Sequence, residues 1–276
     1  MRHVASVLRE EGVRSRHVDL AMCGDNSTSD ATYQGALEVI EEAPVAFARC
    51  IALHTPRADP VLLKARHRGV LRALERREAN TINSPSAAAI ALSKASQLMW
   101  FSRRGIAVPR TLLTNDAHAA RDFLGEVGSV VVKPVSGRRS IVRALAESDV
   151  SRLHLLANCP VILQELLGGS SCRVHVVRQY AESIEIRSNA LDYREVPGGA
   201  DYRLCDIPRP LRDSVIEAAS ELGLWLSGWD LKWHVQQHRW LALEVNRMPA
   251  IEYYEHRTDA SRVSRALCAT LNPSSI

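Results

Sequence analysis

The chain of 276 residues is long enough to bury a large core, most naturally divided among two or three lobes. Hydrophobic residues make up 46% and charged residues 24%, as in soluble globular proteins, and no apolar run approaches the roughly 18 residues of a membrane span. The net charge of +4 suits anionic ligands such as nucleotides without indicating nucleic acid, and six scattered cysteines lack the spacing of a zinc site or disulfide framework.

Residues 1–83 alternate between helical and extended patterns, which predicts a small N-terminal α/β lobe. The pattern gives a helix ending at Gly12, a strand at 16–22, a helix at 31–43, a strand at 43–54 and a long amphipathic helix at 58–78. The first twelve residues lack the apolar segment of a secretory signal, so a cytoplasmic location is expected.

The long helix carries a run of basic side chains. They are Lys64, Arg66, His67, Arg68, Arg72, Arg76 and Arg77. A solvated helix face is one interpretation, because charge runs usually have that role. The other is a docking surface for an acidic peptide. Nucleic acid is not an expected partner, because no aromatic residues are interleaved with the charges.

The next segment, 84–167, predicts a central lobe. A helix with Ser84 as N-cap and Gly105 beyond its end is followed by a helix capped near Asn115–Asp116. The strand SVVVKP (129–134), the loop SGRRS (136–140), a return strand, a short helix and the strand PVILQELL (160–167) complete it. From 168 to 276 we expect a C-terminal lobe with two strands in 172–187, a helix at 209–223, a hairpin and a closing helix.

The hairpin at 227–246 has two chemically different faces. Side chains alternate along a strand, so Leu231, Trp233 and Val235 fall on one face of the first strand, and Leu241, Leu243 and Val245 on one face of the second. The opposite faces carry Asp230, Lys232 and His234, and Trp240, Ala242, Glu244 and Asn246. With a turn at Gln236–Arg239, Asp230 falls across from Glu244, directly or on the diagonal.

Asp230, Glu244 and Asn246 therefore form a candidate metal site. Two carboxylates pressed together repel each other unless a cation lies between them. Oxygen ligands favour a hard ion, and Mg²⁺ commonly takes one or two carboxylates together with substrate phosphates. The alternative is the outward polar face of an ordinary antiparallel hairpin.

Three further features suit phosphate binding. Lys133 ends a buried-looking strand, Lys94 is isolated in an apolar stretch, and SGRRS is a small-residue turn able to close over a polyphosphate with backbone N–H groups and two arginines. A strand-end lysine is more often a surface residue. The order of all these pieces along the chain is more informative than any one of them.

That order resembles the ATP-grasp superfamily, in its RimK and glutathione-synthetase-like branch, over about residues 80–271. The resembling pieces are Ser84–Pro85, Lys94, GIAVP, VVVKPVSG, VILQELL, Arg173, SGWDLKW and LEVNRMP. The resemblance implies an α/β and α+β fold of three lobes, 1–83, 84–167 and 168–276, with ATP held between the central and C-terminal lobes.

The resemblance also implies roles for individual residues. Lys94, Lys133, Ser136, Gly137 and Arg138 would contact the ATP phosphates, Gln164, Glu165, Leu166 and Leu167 would form the adenine hinge, and Asp230, Glu244 and Asn246 would bind Mg²⁺, with Mn²⁺ as an alternative. Lys133, Arg173 and Arg187 are the catalytic candidates. The implied reaction activates a carboxylate as an acyl phosphate, which an amine or hydroxyl then captures.

The segment EIRSNALDYR (185–194) is similar to a D-x-R element of graspetide (microviridin-type) peptide ligases, which build lactones and lactams in ribosomally made peptides. By this resemblance Asp192 and Arg194 would engage a short acidic precursor peptide, and a homodimer is expected. An exposed ion pair is the alternative for these two residues. Two other functions remain open, a ligase of free amino acids or natural-product fragments, and a non-catalytic peptide-binding module.

Overall fold

The computed structural model describes residues 2–15, 46–47, 60–77, 81–85, 93–135, 142–193 and 198–271. Its helices are α1 (Arg2–Glu10), α2 (Pro60–Arg76), α3 (Lys94–Arg103), α4 (Ala117–Val127), a 3-10 helix (Glu147–Asn158), α5 (Arg209–Glu221), α6 (Ile251–Thr258) and α7 (Arg262–Leu271). None of the helices in these ranges combines the length and apolar character needed to cross a membrane.

The strands form two antiparallel sheets and one short parallel pair, which confirms the predicted mixture of α/β and α+β structure. They are β1 (Ala46–Phe47), β2 (Thr81–Ile82), β3 (Thr111–Thr114), β4 (Val130–Pro134), β5 (Arg143–Ala144), β6 (Val161–Glu165), β7 (Ser171–Val177), β8 (Tyr180–Ser188), β9 (Ala200–Cys205), β10 (Leu226–His234) and β11 (Arg239–Asn246). The parallel pair is β1–β2, one sheet has the order β3-β6-β4-β5, and the other has the order β11-β10-β7-β8-β9.

The four-stranded sheet is covered on one face by α4 and the 3-10 helix, around buried Ala120, Leu153 and Leu163. The Asp116 side chain caps α4 by accepting a hydrogen bond of 2.7 Å from the His118 N–H, as the sequence predicts. Because side chains alternate along a strand, Gln164 on β6 lies on the opposite face from Leu163. The candidate phosphate residue Lys133, paired with Ile162, lies on the same face as Gln164.

The five-stranded sheet packs on both faces. On one face Trp229, Leu231 and Val174 pack against Val215 of α5 and Phe101 of α3. On the other face, α1 and α7 pack over Val177 at the end of β7 and Leu226 at the start of β10. Helix α6 packs over β8 and β9. The candidate metal residues lie on this second face, beside α6.

Helix α1 packs against α7, where its Val4, Val7 and Leu8 join Val263 and Leu267 in one buried cluster. The predicted end of this helix at Gly12 is confirmed by a left-handed backbone at that glycine (φ +71°). The predicted strand at 16–22 and helix at 31–43 lie outside the described residues. Of the predicted strand at 43–54, the described part is β1.

Two local predictions differ from the structure. Helix α3 begins at Lys94, and its N-cap is Ser93, whose hydroxyl accepts from the Ser96 N–H at 3.3 Å; Ser84 is instead a buried residue following β2. Strand β9 was not predicted, because an edge strand with mostly half-buried or exposed side chains lacks the apolar alternation that marks a strand.

Candidate active site

The two strands that end at the candidate metal residues are paired directly. The register of β10 with β11 places Asp230 opposite Glu244 and Gly228 opposite Asn246. Directly opposed residues in an antiparallel pair share one face, so Asp230, Glu244 and Asn246 project from the same side of the sheet. The predicted opposition of the two carboxylates is confirmed by this register.

A β-bulge lies next to the Asp230–Glu244 pair, and because of it the predicted faces of part of β11 are wrong. After Asp230–Glu244 the pairing resumes at Leu231–Ala242, so Leu243 is an extra residue on β11. Ala242 therefore joins the core with Trp229, and Leu241 lies on the face of Lys232, the reverse of strict alternation. Val235, predicted to be a core residue, is 49% exposed because it lies in the turn beyond β10.

Each carboxylate of the pair has a cationic partner from another element. Lys94 Nζ, at the first turn of α3, lies 2.9 Å from Glu244 Oε2. Arg173 Nη1, on the neighbouring strand β7, lies 3.0 Å from Asp230 Oδ1. Burial opposes the charge of Arg173, but the negative field of Asp230, with the nearby phenols Tyr254 and Tyr193, outweighs it and raises the arginine pKa above its ordinary value.

The second lysine lies on the face of the four-stranded sheet that is opposite to α4 and the 3-10 helix. Lys133 Nζ donates to Gln164 Oε1 at 2.6 Å, and Gln164 Nε2 donates to Thr111 Oγ1 at 3.0 Å. Gln164 is buried, so it holds the ammonium group of Lys133 in place.

Of the four predicted hinge residues, Gln164 and Glu165 close β6, and Leu166 and Leu167 begin the link to β7. Glu165 Oε1 accepts from the Arg110 N–H at 3.0 Å, and its Oε2 lies 3.9 Å from His234 Nε2 on β10. Residues 164–167 thus join the two sheets in sequence, and Glu165 approaches the five-stranded sheet in space.

The structure does not bring every candidate to this face. The register of β7, β8 and β9 places Arg187 on the opposite side of the sheet from Arg173, where it pairs with Glu185 at 2.8 Å. Asp192 is buried just beyond β8. Ser136, Gly137, Arg138 and Arg194 lie outside the described residues.

Several residues that support the site were not found from the sequence. Gly228 lies where a Cβ atom would come within 2.8 Å of Pro249 and 3.0 Å of Arg173 Nη1, so a larger residue would displace the arginine. Asn83, which has a left-handed backbone (φ 54°), bonds both backbone groups of Leu226 at the start of β10 and the Arg247 carbonyl beyond β11. An asparagine directly after a short strand was the available signal for a left-handed turn.

The donor set fits a hard cation with an anionic ligand. Among the described residues no group of three or more His, Cys, Asp or Glu side chains could hold a metal, so a softer, all-protein site is not formed there. Two opposed carboxylates with an amide fit Mg²⁺. The buried Nε and Nη1 of Arg173 make no hydrogen bond to a described residue, and Nη1 forms the ion pair with Asp230 Oδ1.

Comparisons with known proteins agree with this arrangement. A probable alpha-L-glutamate ligase of Enterobacter sp. (strain 638) is 30% identical over 202 residues, covering 68% of this chain and 66% of that protein. The ATP-grasp ligase PsnB complexed with minimal precursor superimposes with a TM-score of 0.68 at 30% identity, covering 76% of this chain and 71% of that chain. This chain belongs to the ATP-grasp ligases. No family model matches it.

A second ATP-grasp ligase gives the same fold at lower identity. The RiPP-associated ATP-grasp ligase of Chryseobacterium gregarium, in complex with ADP and a leader and core peptide, superimposes with a TM-score of 0.72 at 18% identity, covering 84% of this chain and 77% of that chain. The chain spans 66% of the length of the alpha-L-glutamate ligases it matches, just under two thirds.

Proposed function

We propose that this protein is an ATP-dependent carboxylate–amine or carboxylate–hydroxyl ligase that modifies a ribosomally made peptide through an acyl phosphate. The observation that carries the proposal is the opposed pair Asp230–Glu244, flanked by Arg173 and Lys94 at 3.0 and 2.9 Å. Two carboxylates and two cations converging on one sheet face suit a polyphosphate with its metal.

In the proposed reaction, an oxygen of the substrate carboxylate attacks the γ-phosphorus of ATP. The bond from the γ-phosphorus to the bridging oxygen breaks, ADP leaves with that electron pair, and an acyl phosphate forms. An amine or hydroxyl then attacks the acyl carbon, phosphate leaves, and the attacking group gives up its proton. When donor and acceptor belong to one peptide, the product is that peptide less one water.

The chain's own residues would hold the reactants. Asp230, Glu244 and Asn246 would bind Mg²⁺, which neutralises charge on the transferring phosphoryl group when bound. Lys133, held by Gln164, would contact phosphate from the facing sheet. Arg173 would lie beside the reacting acyl group, where its charge favours the developing negative charge. No protein nucleophile is required.

A peptide substrate is supported by the similarity to PsnB, which was solved complexed with minimal precursor. The described part of α2 adds a basic surface, since Arg68, Arg72 and Arg76 are exposed on one side while Arg66 is buried on the other. An exposed basic stripe attracts an acidic peptide. Asp192 and Arg194 would engage the segment that reacts. A homodimer stays a prediction, which light scattering tests directly.

The second candidate is a ligase that adds free glutamate, and the names of the matching alpha-L-glutamate ligases favour it. In that case the acceptor is the amine of an amino acid, and a peptide need not enter the active site. The two candidates share the acyl phosphate and differ in the acceptor, which is a group of the same peptide in the first and the amine of a free amino acid in the second.

The test is ADP release with Mg²⁺ and ATP in the presence of a panel of Glu- and Asp-rich peptides or of free amino acids. Glu244-dependent release stimulated by a peptide, with loss of one water mass from that peptide, supports the peptide ligase. Stimulation by free amino acids alone supports the glutamate ligase. Absence of ADP release with every compound contradicts both and favours a binding module.

A further inference from the structure

Four tyrosines fill the space between α6 and the strands β8 and β9. They are Tyr193, Tyr202, Tyr253 and Tyr254, and their rings meet edge to face. Two hydroxyl–hydroxyl bonds connect α6 to different partners. Tyr254 bonds Tyr193 at 2.7 Å, and Tyr253 bonds Tyr202 at 2.8 Å. The cluster therefore holds two matched hydrogen bonds of similar length and chemistry.

Of the two tyrosines of α6 that make these bonds, Tyr254 is the one that contacts a residue of the candidate active site. The Tyr254 ring is buried, and its centroid lies 5.0 Å from the Arg173 guanidinium carbon. The same ring contacts the imidazole of His175 edge to face at 5.1 Å. Tyr253 faces outward by comparison, since the guanidinium stacked on its ring at 3.5 Å belongs to the exposed Arg257.

The Arg173 guanidinium is held by its ion pair with Asp230 and by packing. Its side chain is 6% exposed, and its Nε and Nη1 make no hydrogen bond to a described residue, although Nη1 lies 3.0 Å from Asp230 Oδ1. The absent Cβ of Gly228 leaves the room that the guanidinium occupies. The Tyr254 ring is a further contact, and a cation over an aromatic face is attracted to it, most strongly when water is excluded.

The hydroxyl of Tyr254 also contacts the segment that follows β8, through its hydrogen bond to Tyr193. Tyr193 follows Asp192, the residue proposed to engage the peptide, and both side chains are largely buried beyond the end of β8. Tyr254 also lies in α6, which begins directly after the loop that leaves the metal strand β11. One tyrosine thus contacts the arginine beside the metal residues and the segment proposed for the substrate.

We propose that Tyr254 is a positioning residue with two separable parts. Its ring orients the Arg173 guanidinium beside Asp230, and its hydroxyl, through Tyr193, orders the segment that receives the acidic peptide. The second part rests on the proposed function and deepens it, whereas the first part does not depend on the substrate. Removing the hydroxyl should therefore affect peptide binding, and removing the ring should affect the arginine.

The kinetic test compares Tyr254→Phe and Tyr193→Phe with Tyr253→Phe, which breaks the matched bond. Loss of one hydrogen bond corresponds to about a three- to tenfold effect. We expect KM for the peptide to rise by that factor in the first two variants, with kcat little changed, because an unordered segment makes binding more costly. The double variant should be no worse than either single variant, since both lose the same bond. Tyr253→Phe should leave KM unchanged.

A second measurement needs neither substrate nor activity. In arginine-¹⁵N-labelled protein, the Nε–H signal of Arg173, assigned by its loss in Arg173→Lys, reports how well the guanidinium is shielded from water. We expect exchange with water to speed up by roughly tenfold or more in Tyr254→Leu. It should rise less in Tyr254→Phe, which keeps the ring, and should stay unchanged in Tyr253→Phe.

The outcomes separate this proposal from the proposed function. If no peptide supports turnover, the proposed function fails and the exchange rates still decide the role of the ring. If Tyr253→Phe raises KM or speeds Arg173 exchange as much as the Tyr254 variants do, the cluster is merely structural and the proposal is wrong. If Tyr254→Leu leaves Arg173 exchange at the wild-type rate, the ring does not orient the arginine.

Discussion

Lys94 and Glu244 lie 150 residues apart in the chain, and their side chains meet at 2.9 Å. One turn further along α3, the buried Gln97 accepts a hydrogen bond of 2.8 Å from the Val245 N–H. The first turn of α3 is therefore fixed to β11 by an ion pair and by a hydrogen bond to the backbone. Because of this docking, a lysine from the helix reaches the carboxylate pair that the hairpin provides.

The ion pair makes Glu244 the most informative position for substitution. Glu244→Gln keeps the shape but removes the charge that a metal requires, so we expect ADP release to fall by about 10²- to 10³-fold. Both side chains are partly exposed, so the free energy of unfolding should change by less than about 1 kcal/mol. The matched control is Glu185→Gln, whose partner Arg187 lies on the other face of the sheet. Equal loss in both variants would contradict the assignment.

Lys133 is expected to act on the nucleotide and not on the peptide. Lys133→Gln removes a charged donor directed from the four-stranded sheet, and a hydrogen bond to a charged group contributes about 1.5–3 kcal/mol. We expect the Kd for Mg²⁺–ADP, measured by calorimetry, to rise by about ten- to a hundredfold. Thr111→Val, which removes the other partner of Gln164 and keeps the charge, should weaken binding far less.

Gly228 and Gly125 should respond to alanine in opposite directions. At Gly228 the new methyl would meet Pro249 at 2.8 Å and Arg173 at 3.0 Å, and overpacking of this kind costs about 1–3 kcal/mol. At Gly125, in the last turn of α4, nothing lies within 4 Å, so alanine should stabilise by up to about 0.5–1 kcal/mol through helix propensity. Urea midpoints measure both effects. A Gly228→Ala protein as stable as wild type would contradict the close approach.

Because His175 is buried, we expect the free energy of unfolding to fall in mild acid. Burial lowers its pKa well below the ordinary value, and the charge of Arg173 adds to that effect, so the folded protein keeps the ring neutral. The unfolded chain takes up the proton near its ordinary pKa of about 6.5. As pH falls below about 6.5, the unfolded state binds more protons than the folded state, and stability falls by up to about 1.4 kcal/mol per pH unit.

The variant His175→Phe isolates this contribution. Neither ring nitrogen has a hydrogen-bond partner among the described residues, so phenylalanine removes the titration without breaking a bond. Between pH 7 and pH 5 we expect the denaturant midpoint of the wild type to fall more steeply than that of the variant. Parallel curves would mean that the folded protein also protonates His175.

The sequence predicted the parts of the site that depend on strand periodicity. Asp230 and Glu244 could be placed opposite each other because alternation and a short turn determine which residues of a hairpin face each other. The bulge at Leu243 could not be predicted, since an apolar residue in an apolar strand gives no break in the pattern. The faces assigned below it were wrong for that reason.

Contacts between elements that are distant in the chain could not be predicted from the sequence either. Tyr254 lies on a short helix and Arg173 on a central strand, and no periodicity links them. The helix start at Lys94 was missed because Ser84–Pro85 gives the stronger local signal, while Ser93 becomes the N-cap through its bond to the Ser96 N–H. Tertiary packing decided both features.

The central claim is that a peptide carboxylate is activated by phosphoryl transfer at the Asp230–Glu244 pair. Its most direct test uses an acidic peptide that stimulates ADP release, with ¹⁸O in its side-chain carboxylates. We expect one labelled oxygen to appear in inorganic phosphate for each bond formed, and Glu244→Gln to abolish the transfer. Release of AMP, or ADP release with all label kept in the peptide or its product, would contradict it.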